Sequence, residues 1–139
     1  MSKTLTHALH LLATAATALC LAACEVHIGD QPLDEREATR ELCRYVWQTS
    51  YTAYDGAYVD HFLTFYPNGT GMEEIYSDYP HASYVDRFDF DWRWTSWAFS
   101  SIEMRYGPGD YLYMDNIWLS GGMLSCYFDG QMMTFRSYY

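Results

Sequence analysis

Lysine is nearly absent: Lys3 is the only one, and with seven arginines it faces eighteen acidic side chains, for a net charge of −10 at pH 7. A surface so poor in cations disfavours nucleic acid, because phosphate binding needs a positive face. It equally disfavours attachment to anionic headgroups by charge alone. Catalytic signatures are missing too. The chain contains no GxSxG, Walker or GxGxxG pattern, and His27, His61 and His81 are scattered without metal-ligand spacing. No cofactor, no metal and no enzymatic activity are therefore expected. Aromatic residues are absent from the first 44 positions, and all 26 lie at or beyond Tyr45.

What the start of the chain does hold is an apolar run. Lys3 precedes Leu11–Leu21 (LLATAATALCL), a positive n-region followed by an h-region of signal-peptide length. The run is shorter than the ~20 residues that a transmembrane helix needs. It ends Leu21-Ala22-Ala23-Cys24, which resembles the lipobox of bacterial lipoproteins. In that family the cysteine is acylated and becomes the new N-terminus. The competing reading is an ordinary secretory peptide cut near Ala23. Cys20 fits the pattern less well, since bulky Leu19 precedes it. Residues 1–23 are thus expected to be a lipoprotein signal peptide, and 24–32 the lipidated cysteine and a tether. The expected address is the cell envelope, with the outer membrane ahead of the inner. The membrane is met through lipid on Cys24, each buried methylene of which contributes about 0.8 kcal/mol.

Cleavage there leaves 116 residues, one domain's worth, carrying seven arginines against eighteen acids. With Cys24 lipidated, Cys43 and Cys126 remain as an even pair in an oxidising compartment. A bridge between them would tie the N-terminal segment to the penultimate strand and contribute about 4 kcal/mol by loop closure. Two buried, reduced thiols acting as small hydrophobes are the alternative.

Residues 25–32 (EVHIGDQP) read as an irregular tether, broken by Gly29 and Pro32. Leu33 to about Arg44 reads as a short amphipathic helix, with Asp34 and Glu37 spaced as a capping box and Leu33, Ala38 and Leu42 as its apolar stripe. It would serve as a lid. From Tyr45 the period changes to two. Phe88, Phe90, Trp92 and Trp94 alternate with Arg87, Asp89, Asp91 and Arg93, and Ile102, Met104 and Tyr106 repeat the pattern. Asn68-Gly69 and Asp129-Gly130 mark hairpins. The second predicts Phe128 opposite Gln131, Cys126 opposite Met133, and Leu124 opposite Phe135. Near Asp115-Asn116 the alternation slips, as at a bulge. About eight short strands in sequential hairpins predict an all-β fold, a small antiparallel up-and-down barrel over 33–139 with one helix in front. A sandwich is the competing closure.

In Trp47, Phe65-Tyr66-Pro67-Asn68-Gly69-Thr70-Gly71, Trp92-Arg93-Trp94 and Leu124…Phe128-Asp129-Gly130…Met133…Phe135-Arg136, the chain resembles the small lipocalin-like lipoproteins of Gram-negative bacteria. It departs from the lipocalin Gly-x-Trp of the first strand, since Tyr45 stands where the glycine would be. The resemblance implies an antiparallel barrel without a cofactor, and it carries no functional residues over.

Three constellations are candidate sites. Phe88, Phe90, Trp92, Trp94, Ile102, Met104, Leu112, Met114 and Phe135 would either line an apolar ligand pocket or fill the core. A two-residue Asn68-Gly69 loop would place His61 and Glu74 diagonally on one face with Phe65 and Met72. That pair reads as a ligand hook, an acid/base pair or simply a satisfied polar pair. Exposed tyrosines, Tyr76, Tyr79, Tyr84, Tyr138 and Tyr139, would suit a protein or glycan partner. Two functions follow as expectations: an anchored barrel binding a small apolar or amphipathic ligand, or a surface module with no internal ligand.

Overall fold

Past residue 44, the alternation of apolar and polar side chains becomes a wall with one inside and one outside. The computed structural model describes residues 27–28, 31–32, 34–80 and 82–138. The apolar run and Cys24 lie outside the described residues, as do Leu33, His81 and Tyr139. In the tether, where irregular chain is expected, β1 (His27–Ile28) pairs antiparallel with β2 (Gln31–Pro32). A ladder of two residue pairs asks for so few hydrogen bonds that a terminal proline does not prevent it.

Helix α1 spans Glu35–Leu42. Asp34 caps it, its side chain accepting from the Glu37 amide at 2.8 Å, and Ala38 and Leu42 are the buried stripe. Two indoles hold it in place. Trp47 Nε1 donates to the Leu42 carbonyl at 2.8 Å, and Trp94 Nε1 to Thr39 Oγ1 at 3.0 Å. The helix is thereby fixed over one end of the strands as a lid.

Eight strands follow: β3 (Val46–Thr52), β4 (Tyr58–Phe65), β5 (Thr70–Tyr79), β6 (Ala82–Trp94), β7 (Ile102–Gly107), β8 (Asp110–Ser120), β9 (Met123–Phe128) and β10 (Gln131–Tyr138). Each is antiparallel to the next, and β10 returns to β3, closing a barrel rather than a sandwich. Asp129 and Gly130 both take positive φ, as a type I′ turn requires, and Phe128↔Gln131, Cys126↔Met133 and Leu124↔Phe135 are in register. The β8–β9 register shifts between Asp115 and Trp118, with Asn116 at φ 50°. That bulge turns Ile117 and Leu119 inward after Met114.

The core gathers beneath the lid. Trp47, Leu63, Phe65, Ile102, Met104, Leu119, Leu124 and Phe135 are almost wholly buried. Phe65 meets Phe90 and Trp92 edge-on, at ring distances of 5.5 and 5.7 Å. Phe88 does not join them. β6 pairs with β7 only from Asp91 onward, so residues 82–89 extend past the wall on β5 alone, and Phe88 is 46% exposed. Cys43 and Cys126 are both free thiols, so the bridge between them is not formed. Cys126 packs in the core, and Cys43 lies half-buried against it.

Candidate functional site

The β4 pattern sends Val59, His61, Leu63 and Phe65 inward. Which β5 residue meets His61 depends on the hairpin between the two strands. Asn68-Gly69 does not form a two-residue loop. Tyr66 pairs with Thr70 (Tyr66 N to Thr70 O, 2.8 Å), and the Gly69 amide donates to the Tyr66 carbonyl at 3.1 Å. The loop is therefore Pro67-Asn68-Gly69, a turn closed by Gly69 at φ +84°. Pro67 explains the choice. In a two-residue loop it would occupy a flanking position whose N–H must bond across the hairpin, and proline has none. At the second turn position its fixed φ is an advantage.

One extra loop residue moves β5 by one register position, which exchanges its two faces. Glu73, not Glu74, faces the interior. Glu74 lies outside and accepts from Arg87 Nε at 3.0 Å. Met72 leaves the His61 face with it, since the β5 residues that share that face are Gly71 and Glu73. His61 Nε2 lies 2.6 Å from Glu73 Oε1, with the two residues 3% and 7% exposed. Phe128 and Phe135 stand edge-on to the imidazole at 5.5 and 5.6 Å. Tyr51 and Tyr106 flank the carboxylate. Desolvation, and then the Glu73 charge, pushes both phenols above the ordinary tyrosine range. His61 Nδ1 is buried without a hydrogen-bond partner, and the Tyr106 hydroxyl, buried near Glu73, makes no bond of good geometry.

The barrel wall opens beside this pair. β3 and β10 pair only at Gln48↔Arg136, Trp47↔Ser137 and Val46↔Tyr138. Beyond Gln48 the two strands separate, although each stays paired to its other neighbour. A cleft of about 530 Å³ occupies the gap, with Thr49 and Tyr51 on one bank, Met133 and Thr134 on the other, and His61 and Phe128 at its base. Its size falls within the roughly 300–1,000 Å³ usual for small-molecule sites. A larger depression of about 1400 Å³ lies between α1 and the Pro67–Gly69 turn. Its walls are charged helix side chains, and the two indoles there, Trp92 and Trp94, already have acceptors. The polar cluster therefore marks the smaller cleft as the better candidate.

Of the sequence-derived pocket residues, Phe90, Trp92, Ile102, Met104, Met114 and Phe135 belong to the packed core, and Trp94 and Leu112 pack against it. Only Leu112 of these lines the seam cleft, together with His61. Glu74 faces outward, whereas Phe88 shares the inner face with Phe90 and Glu73 and is exposed only because β6 has no β7 partner there. Among the tyrosines, Tyr76, Tyr84 and Tyr138 are exposed. The Ala57 amide, and after it the Tyr79 hydroxyl at 2.8 Å, donate to Asp55 and hold its carboxyl below the usual range. Asp91 pairs with Arg105 and Arg93 with Glu103, so the outer charges meet across strands. Among the described residues there is no cluster of three metal-ligating side chains, and no helix long and apolar enough to cross a membrane.

Comparison with family models, with curated proteins and with solved structures returned no match for this chain.

Proposed function

We propose that this chain is an exported bacterial lipoprotein, anchored through Cys24, whose barrel binds one small amphipathic ligand in the cleft between β3 and β10. One observation carries the binding half: a buried histidine with one unpartnered ring nitrogen is among the residues that line an open cleft. Proteins pair nearly all their buried polar atoms, and an unmade bond costs about 1–3 kcal/mol. A ligand head group would supply the missing partner while its apolar part packs on Phe128, Leu112 and Met133. The anchoring half is supported by Lys3, the Leu11–Leu21 run and Leu21-Ala22-Ala23-Cys24.

Native mass spectrometry of the chain extracted from its membrane tests the reading. The expected spectrum carries the acyl mass on Cys24 and one further non-covalent ligand mass. An unacylated chain would overturn the anchor, and an acylated chain without a further mass would overturn the ligand.

A second reading is favoured by the outer wall. Tyr111, Tyr113, Trp118 and Tyr127 of β8 and β9 are each 43–45% exposed. Such rings suit a protein or glycan partner, since they give contact area at low entropic cost. Glycan-array or envelope-protein binding by a ligand-free chain would select it.

A further inference from the structure

Away from the cleft, β6 has an edge with no partner. In antiparallel strands the N–H and C=O of successive residues point alternately to the two neighbouring strands. Trp92 donates its N–H to the Gly69 carbonyl on the β5 side, and the β5–β6 register runs unbroken from Asp91 to Ala82. The even-numbered residues of β6 therefore bond to β5, while Ser83, Val85 and Arg87 point their backbone groups the other way. β7 meets β6 only from Asp91 onward, and the turn at 107–109 stands beside Asp89 and Phe90. Among the described residues, no strand pairs with the outer edge of 82–88. That stretch contains no lysine, proline or bulge, and its arginine, Arg87, is already paired with Glu74. Such an edge is a template for another strand.

Length and side chains select the occupant. The free stretch 82–88 is centred on Val85, so a second copy can lie antiparallel on it about a two-fold axis at that residue. Val85 then faces Val85, Ser83 faces Arg87, Tyr84 faces Asp86 and Ala82 faces Phe88 of the other copy. No like charges meet. A centre one residue further on would set Asp86 against Asp86 and run the second copy into the 107–109 turn. A centre one residue back would leave Arg87 and Phe88 unpaired. Knob and hole match in the same register. Phe88 is half exposed, and a depression of about 530 Å³ beside Ala82 is lined by Tyr79, Pro80, Tyr84 and Asp86. Ala82, Tyr84, Asp86 and Phe88 share one face of the strand, so each Phe88 ring reaches the depression of the other copy.

We propose that β6 is a homodimerisation edge. Two copies pair antiparallel through 82–88, centred on Val85, and each buries Phe88 against Tyr79, Pro80 and Ala82 of the other. Their backbones exchange hydrogen bonds at Ser83↔Arg87, Val85↔Val85 and Arg87↔Ser83.

Sedimentation equilibrium under reducing conditions tests this on the full chain carrying Cys24→Ser, which removes the acyl groups. The expected behaviour is a monomer–dimer equilibrium. Val85→Pro deletes an N–H that only the second copy uses and leaves the bonds to β5 in place, since an edge strand tolerates proline. It should weaken the dimer at least about tenfold, through loss of the two central hydrogen bonds, with the circular dichroism spectrum unchanged. Phe88→Ser keeps every backbone group and should also weaken the dimer about tenfold or more. A chain that stays monomeric to about 0.1 mM overturns the proposal, as does a dimer that both variants leave intact. So does a monomer that takes up an extended strand of a different protein on this edge. Should Val85→Pro not fold, Phe88→Ser decides.

Discussion

His61 and Glu73 meet 2.6 Å apart inside the barrel, while the neighbouring Glu74 points outward to Arg87. Two adjacent glutamates on one strand therefore have opposite energetic roles. Removing Glu73 leaves a buried imidazole without its partner, and Glu73→Ala should cost at least about 1–3 kcal/mol. Glu74→Ala breaks a pair whose arginine is largely exposed and should cost less than about 1 kcal/mol. Replacing both partners, His61→Leu with Glu73→Leu, should be milder than Glu73→Ala, because no buried polar group is left over. Urea unfolding of the variants measures all three.

Gly71 is a packing requirement. A Cβ there would press into the Phe90 ring and come within 2.7 Å of the Thr64 carbonyl. Gly71→Ala is expected to lose about 1–3 kcal/mol by overpacking. Adding Phe90→Leu should recover only part of that loss, since the backbone contact remains. Denaturation midpoints of the single and double variants test this.

Alkaline pH should weaken the fold through its cysteines. Burial raises the Cys43 thiol from 9.0 to about 11 and the Cys126 thiol from 9.0 to about 12. A raised folded value means that the folded state holds the proton longer than the unfolded chain does. The stabilisation is complete below about pH 9 and is lost as pH rises through 11 to 12. The melting temperature should fall over that window, and less steeply in Cys126→Val. Alkylation of unreduced, unfolded protein should modify both thiols, as expected of free cysteines.

How far the sequence discloses this molecule is clearest from its two Xaa-Gly hairpins. Asp129-Gly130 follows the simple rule, and its register is readable residue by residue. Asn68-Gly69 has the same signal but is preceded by Pro67, and that missing N–H lengthens the loop and exchanges Glu73 for Glu74. The proline was in plain view, so Glu73 was recoverable. Period-two alternation likewise gives the eight strands and most of the core, and the Asp34–Glu37 capping box with its apolar stripe gives the lid helix. It could not give the exposure of Phe88, which depends on where β6 leaves β7. Nor could it give the seam. The opening arises where the first and last barrel strands part, far apart in sequence, and no local pattern in Thr49–Tyr51 or Met133–Thr134 encodes it. Tyr106 was legible as inward-facing, but its lack of a partner was not.

The seam cleft as a ligand site is tested most directly by filling it. Thr49→Trp, opposite His61 across β3–β4, puts an indole into the gap while leaving His61 and Glu73 themselves unsubstituted. An uncharged, environment-sensitive fluorophore such as N-phenylnaphthylamine should bind the Cys24→Ser chain at a single site. That binding should be lost in Thr49→Trp, with the circular dichroism spectrum unchanged. Undiminished binding by the filled variant would contradict the account and place the ligand, if any, elsewhere on the barrel.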